Sequence, residues 1–172
     1  SDLRLDDNPA LSIADNECEK IVCLYLLSEE EWKTHNNANV KLDFIIKNLS
    51  NLSKDLKKLN MPLIAASIKN FDSIPKQIAE FSKSNNISKC YWNNEFGVDE
   101  QERDQKVQNM LEISQIDYQF FDEQILFKPG TLLTGQGKPF SVFTPFKKKW
   151  IENFSIDHLE IESEISVKKN FN

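Results

Sequence analysis

Residues 91–104 of this 172-residue chain carry the side chains best suited to chemistry. The segment runs from Tyr91 through Gly97 to Asp99 and Glu100. Aromatic residues favour a strand, glycine permits a sharp turn, and acidic residues suit the N-terminus of a helix. In an open α/β sheet, ligands bind at the carboxyl ends of strands, which is where such a segment would lie. The pattern therefore predicts a ligand-binding loop whose carboxylates accept hydrogen bonds from the ligand.

The elements that would position this loop alternate between strand and helix. Short apolar runs predict strands at residues 20–27, 62–68, 87–92 and 116–121, and spaced apolar residues predict helices at 40–60, 72–84, 99–113 and 144–154. Strands that alternate with helices pair in parallel, through right-handed crossovers. The sequence therefore predicts one α/β domain over residues 1–154, followed by a tail or linker over residues 155–172.

Composition restricts the class of protein further. With 40% apolar residues and 12 Phe, the chain can bury a core, and its net charge of −6 argues against a non-specific nucleic-acid surface. Cys18, Cys23 and Cys90 are odd in number and lack metal-type spacing, which favours reduced thiols. The chain has no run of about 18 apolar residues and no signal peptide, so we expect a cytoplasmic protein without a membrane span.

Four segments of the chain follow one another in a specific order. They are residues 2–11, residues 32–36 (Trp32 to Asn36), residues 91–104, and residues 130–150, which include three glycines and two prolines and end at Trp150. In this order they resemble the N-terminal antenna domain of the DNA photolyase and cryptochrome family, in particular that of class I photolyases for cyclobutane pyrimidine dimers. The resemblance extends from residue 2 to about residue 151.

The resemblance implies a Rossmann-like, doubly wound parallel sheet of five strands, with helices on both faces. Family members begin with a central strand that ends just before the position of Ser1, so that strand is missing from this chain, and we expect it upstream of Ser1 in the natural protein. The family also implies a helical FAD domain after this one, which binds damaged DNA and carries out repair. Without it, this chain is expected to be inactive toward DNA damage, and its oligomeric state stays open.

In the resembling photolyases the antenna is a reduced folate, 5,10-methenyltetrahydrofolate, and the matching positions here are His35, Asp99 and Glu100. A pterin offers adjacent N–H and amino donors that one carboxylate can accept, a role we predict for Glu100. Asp99 stands where the family often has asparagine, and it could instead cap the helix. Glu100 could simply favour the helix dipole, and His35 could be a solvated loop histidine. The resemblance implies no catalytic residue and no metal ligand in this domain.

Several alternatives stay open on the sequence alone. An 8-hydroxy-deazaflavin could replace the folate, the parent protein could be a cryptochrome-like receptor, or the chain could be a stand-alone nucleotide-binding or stress-type α/β protein. The glycines of residues 130–137 fit no phosphate-binding pattern and are interpreted as turns. The run Lys147 to Lys149 is interpreted as a solvated helix face, with a contact to DNA or a partner domain as the alternative.

Overall fold

The computed structural model describes residues 3–28, 39–123, 125–156 and 164–171. Within these ranges strands and helices alternate in the predicted order: α1 Pro9–Glu17, β1 Cys23–Ser28, α2 Asn39–Lys58, β2 Leu63–Ile68, α3 Ile74–Ser84, β3 Lys89–Asn93, α4 Val98–Ile113, β4 Asp117–Phe121 and α5 Phe143–Asn153. Each predicted element is present with small shifts at its ends. Helix α1 begins where Asn8 caps it by accepting a hydrogen bond from the Leu11 N–H at 3.2 Å.

The strands of the described residues form two parallel pairs. β1 pairs with β2 from Cys23 opposite Leu63 onward, and β3 pairs with β4 from Lys89 opposite Asp117 onward. The prediction of an α/β fold with parallel pairing is confirmed. A continuous five-stranded sheet is not formed by the described residues, because β1 and β3 each pair along one edge only.

Two hydrophobic clusters hold the strand pairs between helices. The first packs helices α3 and α4 on the strands and contains Ile68, Ile74, Val107, Leu111 and Ile116. The second packs α1 and α2 on them and contains Ala14, Ile21, Leu56 and Met61. Strands of both pairs contribute to both clusters, so helices cover both faces, as predicted. Burying each of the largest of these side chains is worth about 1.5 to 3 kcal/mol.

Helices α2, α3 and α4 end in the same backbone motif. Each is followed by a residue with positive φ, and the next residue donates its N–H to the carbonyl five positions back: Met61 to Leu56 at 3.0 Å, Ile87 to Ser82 at 2.8 Å and Ile116 to Leu111 at 3.0 Å. This arrangement satisfies carbonyls that the helix leaves unpaired. The residue that donates is apolar in all three cases. The strands β2, β3 and β4 therefore follow equivalent turns.

The predicted apolar face of α2 and the predicted thiols agree with the structure. Leu49 and Leu56 are buried on that face, and the cysteines of the described residues form no disulfide. Burial raises the pKa of the Cys23 thiol to about 11, which keeps it protonated at neutral pH. Within the described ranges, no helix is long and apolar enough to span a membrane.

Residues 164–171, for which a tail or linker was predicted, lie against α1 and the turn after α2; we call them the C-terminal strap. The Lys168 N–H donates to the Leu59 carbonyl at 2.9 Å, and the Lys169 N–H donates to the Glu19 carbonyl at 3.0 Å. Asp15, on α1, accepts from the Ser166 N–H at 3.1 Å and lies 2.9 Å from Lys168 Nζ. Both the Asp15 and the Lys168 side chains are nearly buried, so the strap is fastened by an ion pair shielded from solvent.

Candidate functional site

The predicted ligand loop lies at the carboxyl ends of the strands. β3 ends at Asn93 and α4 begins at Val98, so residues 94–97 form the connection. Asp99 and Glu100 are the second and third residues of α4, in the first turn of the helix. The structure therefore brings these two predicted carboxylates together at the helix N-terminus, where the helix dipole favours negative charge.

Glu100 folds back over the start of its own helix. Gly97 is the residue that caps α4, so the alternative that Asp99 is the cap is wrong. A Cβ added to Gly97 would overlap the Glu100 carboxylate, so only glycine permits this close approach. Among the described residues, neither the Asp99 nor the Glu100 side chain makes a hydrogen bond or ion pair, which leaves their carboxylate oxygens available to donors from a ligand.

Arg103, one turn further along α4, joins the loop to a neighbouring part of the carboxyl edge. Its Nε donates to Asp104 Oδ1 at 2.8 Å, and its Nη2 lies 3.2 Å from Glu95 Oε2. Its guanidinium also lies over the ring of Phe71, which follows β2. Burial lowers the pKa of Arg103, but the hydrogen bond to Asp104 and the charges of Asp104 and Glu95 outweigh it and raise the pKa. Arg103 is therefore a permanent cation that holds the loop in place.

The N-terminal loop closes the other side of this edge. Asn93 donates from Nδ2 to Asn8 Oδ1 at 2.8 Å and accepts from the Ala10 N–H at 3.1 Å, which ties β3 to the start of α1. Arg4 forms an ion pair with Glu123, whose side chain is only 3% exposed. Within the described ranges, Glu123 Oε1 is buried without a hydrogen-bond partner. The carboxyl edge is thus bordered by polar groups on two sides.

A further contact connects the loops that follow β3 and β4. Asn94 donates from Nδ2 to Asp122 Oδ1 at 2.7 Å, and Lys128 Nζ lies 3.1 Å from Asp122 Oδ2. The hydrogen bond from Asn94 lowers the pKa of Asp122, and Lys128 acts in the same direction against the effect of burial. The carboxylate is therefore held ionised between the two loops.

Sequence patterns identified only part of this arrangement. His35, the third predicted site residue, lies outside the described residues, as do Trp32 and Asn36. No pattern pointed to Arg103, Asn93 or Glu123, although Asn93 could have been noticed as a polar residue at the end of an apolar strand. Gly130 and Gly137 have positive φ in turns, in agreement with their interpretation as structural residues.

Other kinds of site are not found in the described part of the chain. No group of three or more His, Cys, Asp or Glu side chains there could hold a metal ion. A surface recess lined by Lys89, Glu112 and Tyr118 lies at the amino ends of β3 and β4, on the edge opposite Asp99 and Glu100. The carboxyl edge with its unpaired carboxylates is therefore the better candidate.

The fold and the site define a class of protein: an α/β lobe with helices on both faces and an acidic ligand loop at the carboxyl ends of its strands. A sequence profile of the family described as DNA photolyase matches residues 1–164. The chain belongs to the DNA photolyase family.

Individual relatives agree with this assignment. The chain is 34% identical to a deoxyribodipyrimidine photo-lyase of Vibrio cholerae over 153 residues, which are 89% of the chain and 33% of the relative. It is 29% identical to the enzyme of the same name from Escherichia coli, covering 88% of the chain and 32% of the relative. The chain thus spans about a third of the length of the curated relatives it matches.

Solved structures share the fold. A class III photolyase from Agrobacterium tumefaciens superposes with a TM-score of 0.75 at 23% identity, over 97% of this chain and 33% of that one. An archaeal photolyase from Sulfolobus tokodaii superposes with a TM-score of 0.70 at 21% identity, over 99% of this chain and 36% of that one. The latter structure is described as holding two FAD molecules, with the implication of a novel light-harvesting cofactor.

Proposed function

We propose that this chain is the light-harvesting lobe of a photolyase that splits cyclobutane pyrimidine dimers, and that it holds 5,10-methenyltetrahydrofolate through Asp99 and Glu100. The observation that supports this most directly is the pair of carboxylates without partners at the carboxyl edge of a domain that belongs to the photolyase family. Glu100 is partly buried and would gain by accepting donors from a ligand, whereas Asp99 is exposed at the entrance.

The chemistry of these residues fits a pterin. The ring presents an N–H and an amino group side by side, and a carboxylate with two acceptor oxygens matches this pair in a charge-assisted, two-pronged bond. Glu100 would accept both donors, while the more exposed Asp99 would accept one further donor at the entrance. His35, which lies between β1 and α2 in the sequence, would contribute a third contact.

The lobe acts by binding and orientation rather than by chemistry of its own. When bound, a reduced folate supplies absorption of near-ultraviolet or blue light and transfer of excitation to a flavin, processes that belong to the cofactors. Because such transfer depends on distance and angle, the task of Glu100 would be to orient the ligand, and that of Arg103 to hold the binding loop in place through Glu95, Asp104 and Phe71. No side chain of this lobe needs to act as an acid, base or nucleophile.

The remaining machinery would lie in the rest of the polypeptide. The relatives are about three times as long as this chain, which leaves room for a helical domain that binds FAD and damaged DNA. We place the lobe at residues 1–154 and the beginning of the connection at residues 155–172, in a cytoplasmic protein.

We also propose that the sheet of the full protein has five strands, with a further strand between β1 and β3. Support comes from the hydrophobic clusters, because both contain residues from both strand pairs. An additional parallel strand would satisfy the backbone groups on the two unpaired edges. Amides on these edges of β1 and β3 should exchange slowly with deuterium in the full-length protein, and rapid exchange would contradict a fifth strand.

Light-dependent repair tests the proposed function directly. The full-length protein, incubated with an oligonucleotide containing one cyclobutane thymine dimer, should restore the thymines under blue light and leave the dimer intact in the dark. The names of the relatives favour repair over a cryptochrome-like signalling role. Illumination without any restoration, in a protein that retains FAD, would favour the signalling role.

Absorption of the purified full-length protein identifies the antenna. A methenyl folate absorbs in the near ultraviolet, whereas an 8-hydroxy-deazaflavin absorbs at longer wavelength in the blue. We expect the folate band, with an excitation spectrum for repair that follows it. A band at the deazaflavin position would show that the antenna is the deazaflavin and not the folate, and it would not contradict the proposed repair function.

Gly97→Ala should weaken folate binding by displacing the carboxylate of Glu100. The new Cβ would occupy the space that this carboxylate fills, and the flexible side chain would turn away. The Gly97 backbone, with φ −66° and ψ 148°, is open to any residue, so we expect stability to change by less than about 1 kcal/mol. Folate titration of the full-length variant, with its melting temperature as control, checks this; unchanged affinity would contradict the placement of Glu100.

A further inference from the structure

Helix α5 has an apolar arc that is only half covered. Phe146 and Trp150 face the preceding segment, where Phe140 and Phe127 pack against them at ring-centroid distances of 5.9 and 5.5 Å. Phe143 and Ile151 lie on the adjoining part of the same arc, because residues eight positions apart share one side of a helix. Phe154, the first residue after the helix, stacks on Trp150 at a ring-centroid distance of 5.5 Å. These three side chains are exposed, Phe143 by 73% and Ile151 by 56%.

The exposed apolar surface continues beyond the helix at both ends. Val142 precedes it and Ile156 follows it, and both are largely exposed. We call the five residues Val142, Phe143, Ile151, Phe154 and Ile156 the α5 patch. No residue of α5 is buried, and neither of the two hydrophobic clusters includes the helix.

A helix in this situation lacks the packing that normally stabilises it. Helices shorter than about 12 to 15 residues are marginal in water on their own, and α5 has 11. It also carries Pro145 and three consecutive lysines, which repel one another. Its covered half contacts an irregular segment rather than a sheet, so further apolar contact is needed to account for a stable helix.

From these observations we infer that the α5 patch is a docking surface for the part of the polypeptide that follows Asn172. The inference rests on the proposed function, because it assumes that a second lobe follows this one in the polypeptide. The threefold greater length of the relatives supports that assumption. It goes beyond that function by assigning the contact to one helix face, and it predicts an apolar groove with carboxylates near Lys147 on the opposing lobe.

The size of the patch favours an occupant from the same chain. A stable contact between separate proteins takes about 20 to 30 residues a side, whereas the patch has five. A covalently linked lobe does not need that area, because the connection gives it an effective concentration in the millimolar range. Lys147 lies within the arc and adds the possibility of an ion pair, which would orient the second lobe rather than bind it strongly.

The test uses the full-length protein and measures α5 directly. Hydrogen exchange followed by mass spectrometry should find the amides of Phe143–Asn153 protected, and Ile151→Glu should accelerate their exchange at least about tenfold. The matched control is Ile113→Glu, which places the same charge at an exposed isoleucine at the end of α4 and should leave α5 exchange unchanged. If the patch stays exposed to solvent in the full-length protein, Ile151→Glu will leave the exchange of the α5 amides as unchanged as Ile113→Glu does. That result would overturn the inference.

A second measurement does not depend on a variant that folds. Carbene footprinting of the unmodified full-length protein should label Phe143 and Ile151 less than Ile113, and labelling in proportion to the exposures described above would overturn the docking. Protection that grows with protein concentration would assign the patch to a second copy and also overturn it. Repair and folate binding are measured on the same samples. If α5 is protected but the protein neither repairs dimers nor binds folate, the proposed function is contradicted and the docking surface is still supported.

Discussion

Replacing Asp15 by alanine should destabilise the lobe by about 3 to 5 kcal/mol, because the nearly buried Lys168 cation then has no carboxylate partner and keeps only its hydrogen bond to the carbonyl of residue 15. The Asp15 and Lys168 side chains are 7% and 10% exposed, and their charged atoms lie 2.9 Å apart. Ser166 would lose two acceptors at once, since both its N–H and its hydroxyl donate to the same carboxylate. The opening free energy obtained from hydrogen exchange at the β2 amides, in the full-length protein, measures the effect.

A matched control exists on the same strap. Glu19 and Lys169 form an ion pair at 2.7 Å with side chains that are 76% and 66% exposed, so Glu19→Ala should change stability by less than about 1 kcal/mol. Replacing both Asp15 and Lys168 by apolar residues should recover most of the loss, because no buried charge then remains alone. Equal effects of Asp15→Ala and Glu19→Ala would contradict a special role for the buried pair.

The same pair predicts how stability depends on pH. Burial raises the pKa of Asp15, but its hydrogen bonds with Lys168 and Ser166 outweigh burial, and the pKa falls below its ordinary value of 3.8. A depressed pKa stabilises the folded state at pH values above the ordinary value, and this contribution is lost as the pH falls through the lower, folded-state value. The difference between the unaltered protein and Asp15→Ala should therefore be constant near neutrality and shrink in acid below about pH 4.

Replacing Glu100 by alanine should lower the affinity of the full-length protein for methenyltetrahydrofolate roughly tenfold to a hundredfold. A hydrogen bond to a charged group contributes about 1.5 to 3 kcal/mol. The two pterin donors would bind the same carboxylate, so Glu100→Ala removes the acceptor of both. Because the Glu100 side chain makes no hydrogen bond or ion pair within the described residues, its removal should leave stability nearly unchanged. Fluorescence titration of the apoprotein with the folate measures the change.

Glu102→Ala provides the matched control for this substitution. Glu102 is an exposed carboxylate in the same helix, two residues further on, and it should not face the ligand. Glu100→Gln should lie between the two, since the amide keeps one acceptor oxygen but loses the charge. Equal affinities for Glu100→Ala and Glu102→Ala would remove Glu100 from the site, and a loss confined to Glu100→Ala would support its role.

Local rules account for the elements that could be predicted. The apolar spacing of α2, the unbroken apolar run of β1 and the glycine before α4 each depend on neighbouring residues in the chain. Helix α1 shows no apolar stripe in the sequence, because its nine residues bury small and polar side chains such as Ala14 and Ser12. The strap escaped prediction because its attachment to Asp15 joins residues about 150 positions apart.

In the candidate site, too, features set by neighbouring residues could be predicted, and contacts between distant residues could not. The positions of Asp99 and Glu100 followed from a local turn and from family resemblance, and the structure places both in the first helical turn. Arg103 could not be inferred, because its role depends on Phe71 and Glu95, which reach it from two different loops. Polar contacts between loops carry no periodic pattern, so only the folded chain brings them together.

The strap also determines how the rest of the polypeptide can reach the binding loop. Its attachment points, Leu59 and Glu19, precede β2 and β1, so the chain leaves the lobe at the amino edge of the strands. Asp99 and Glu100 lie at the carboxyl edge, a strand length of roughly 17 to 20 Å away. Any segment that closes over them must first travel back along the height of the sheet, which takes at least about six extended residues. In the two-lobed protein proposed above, a connection that follows the strap would have to span this distance before a second lobe could contact Asp99 and Glu100.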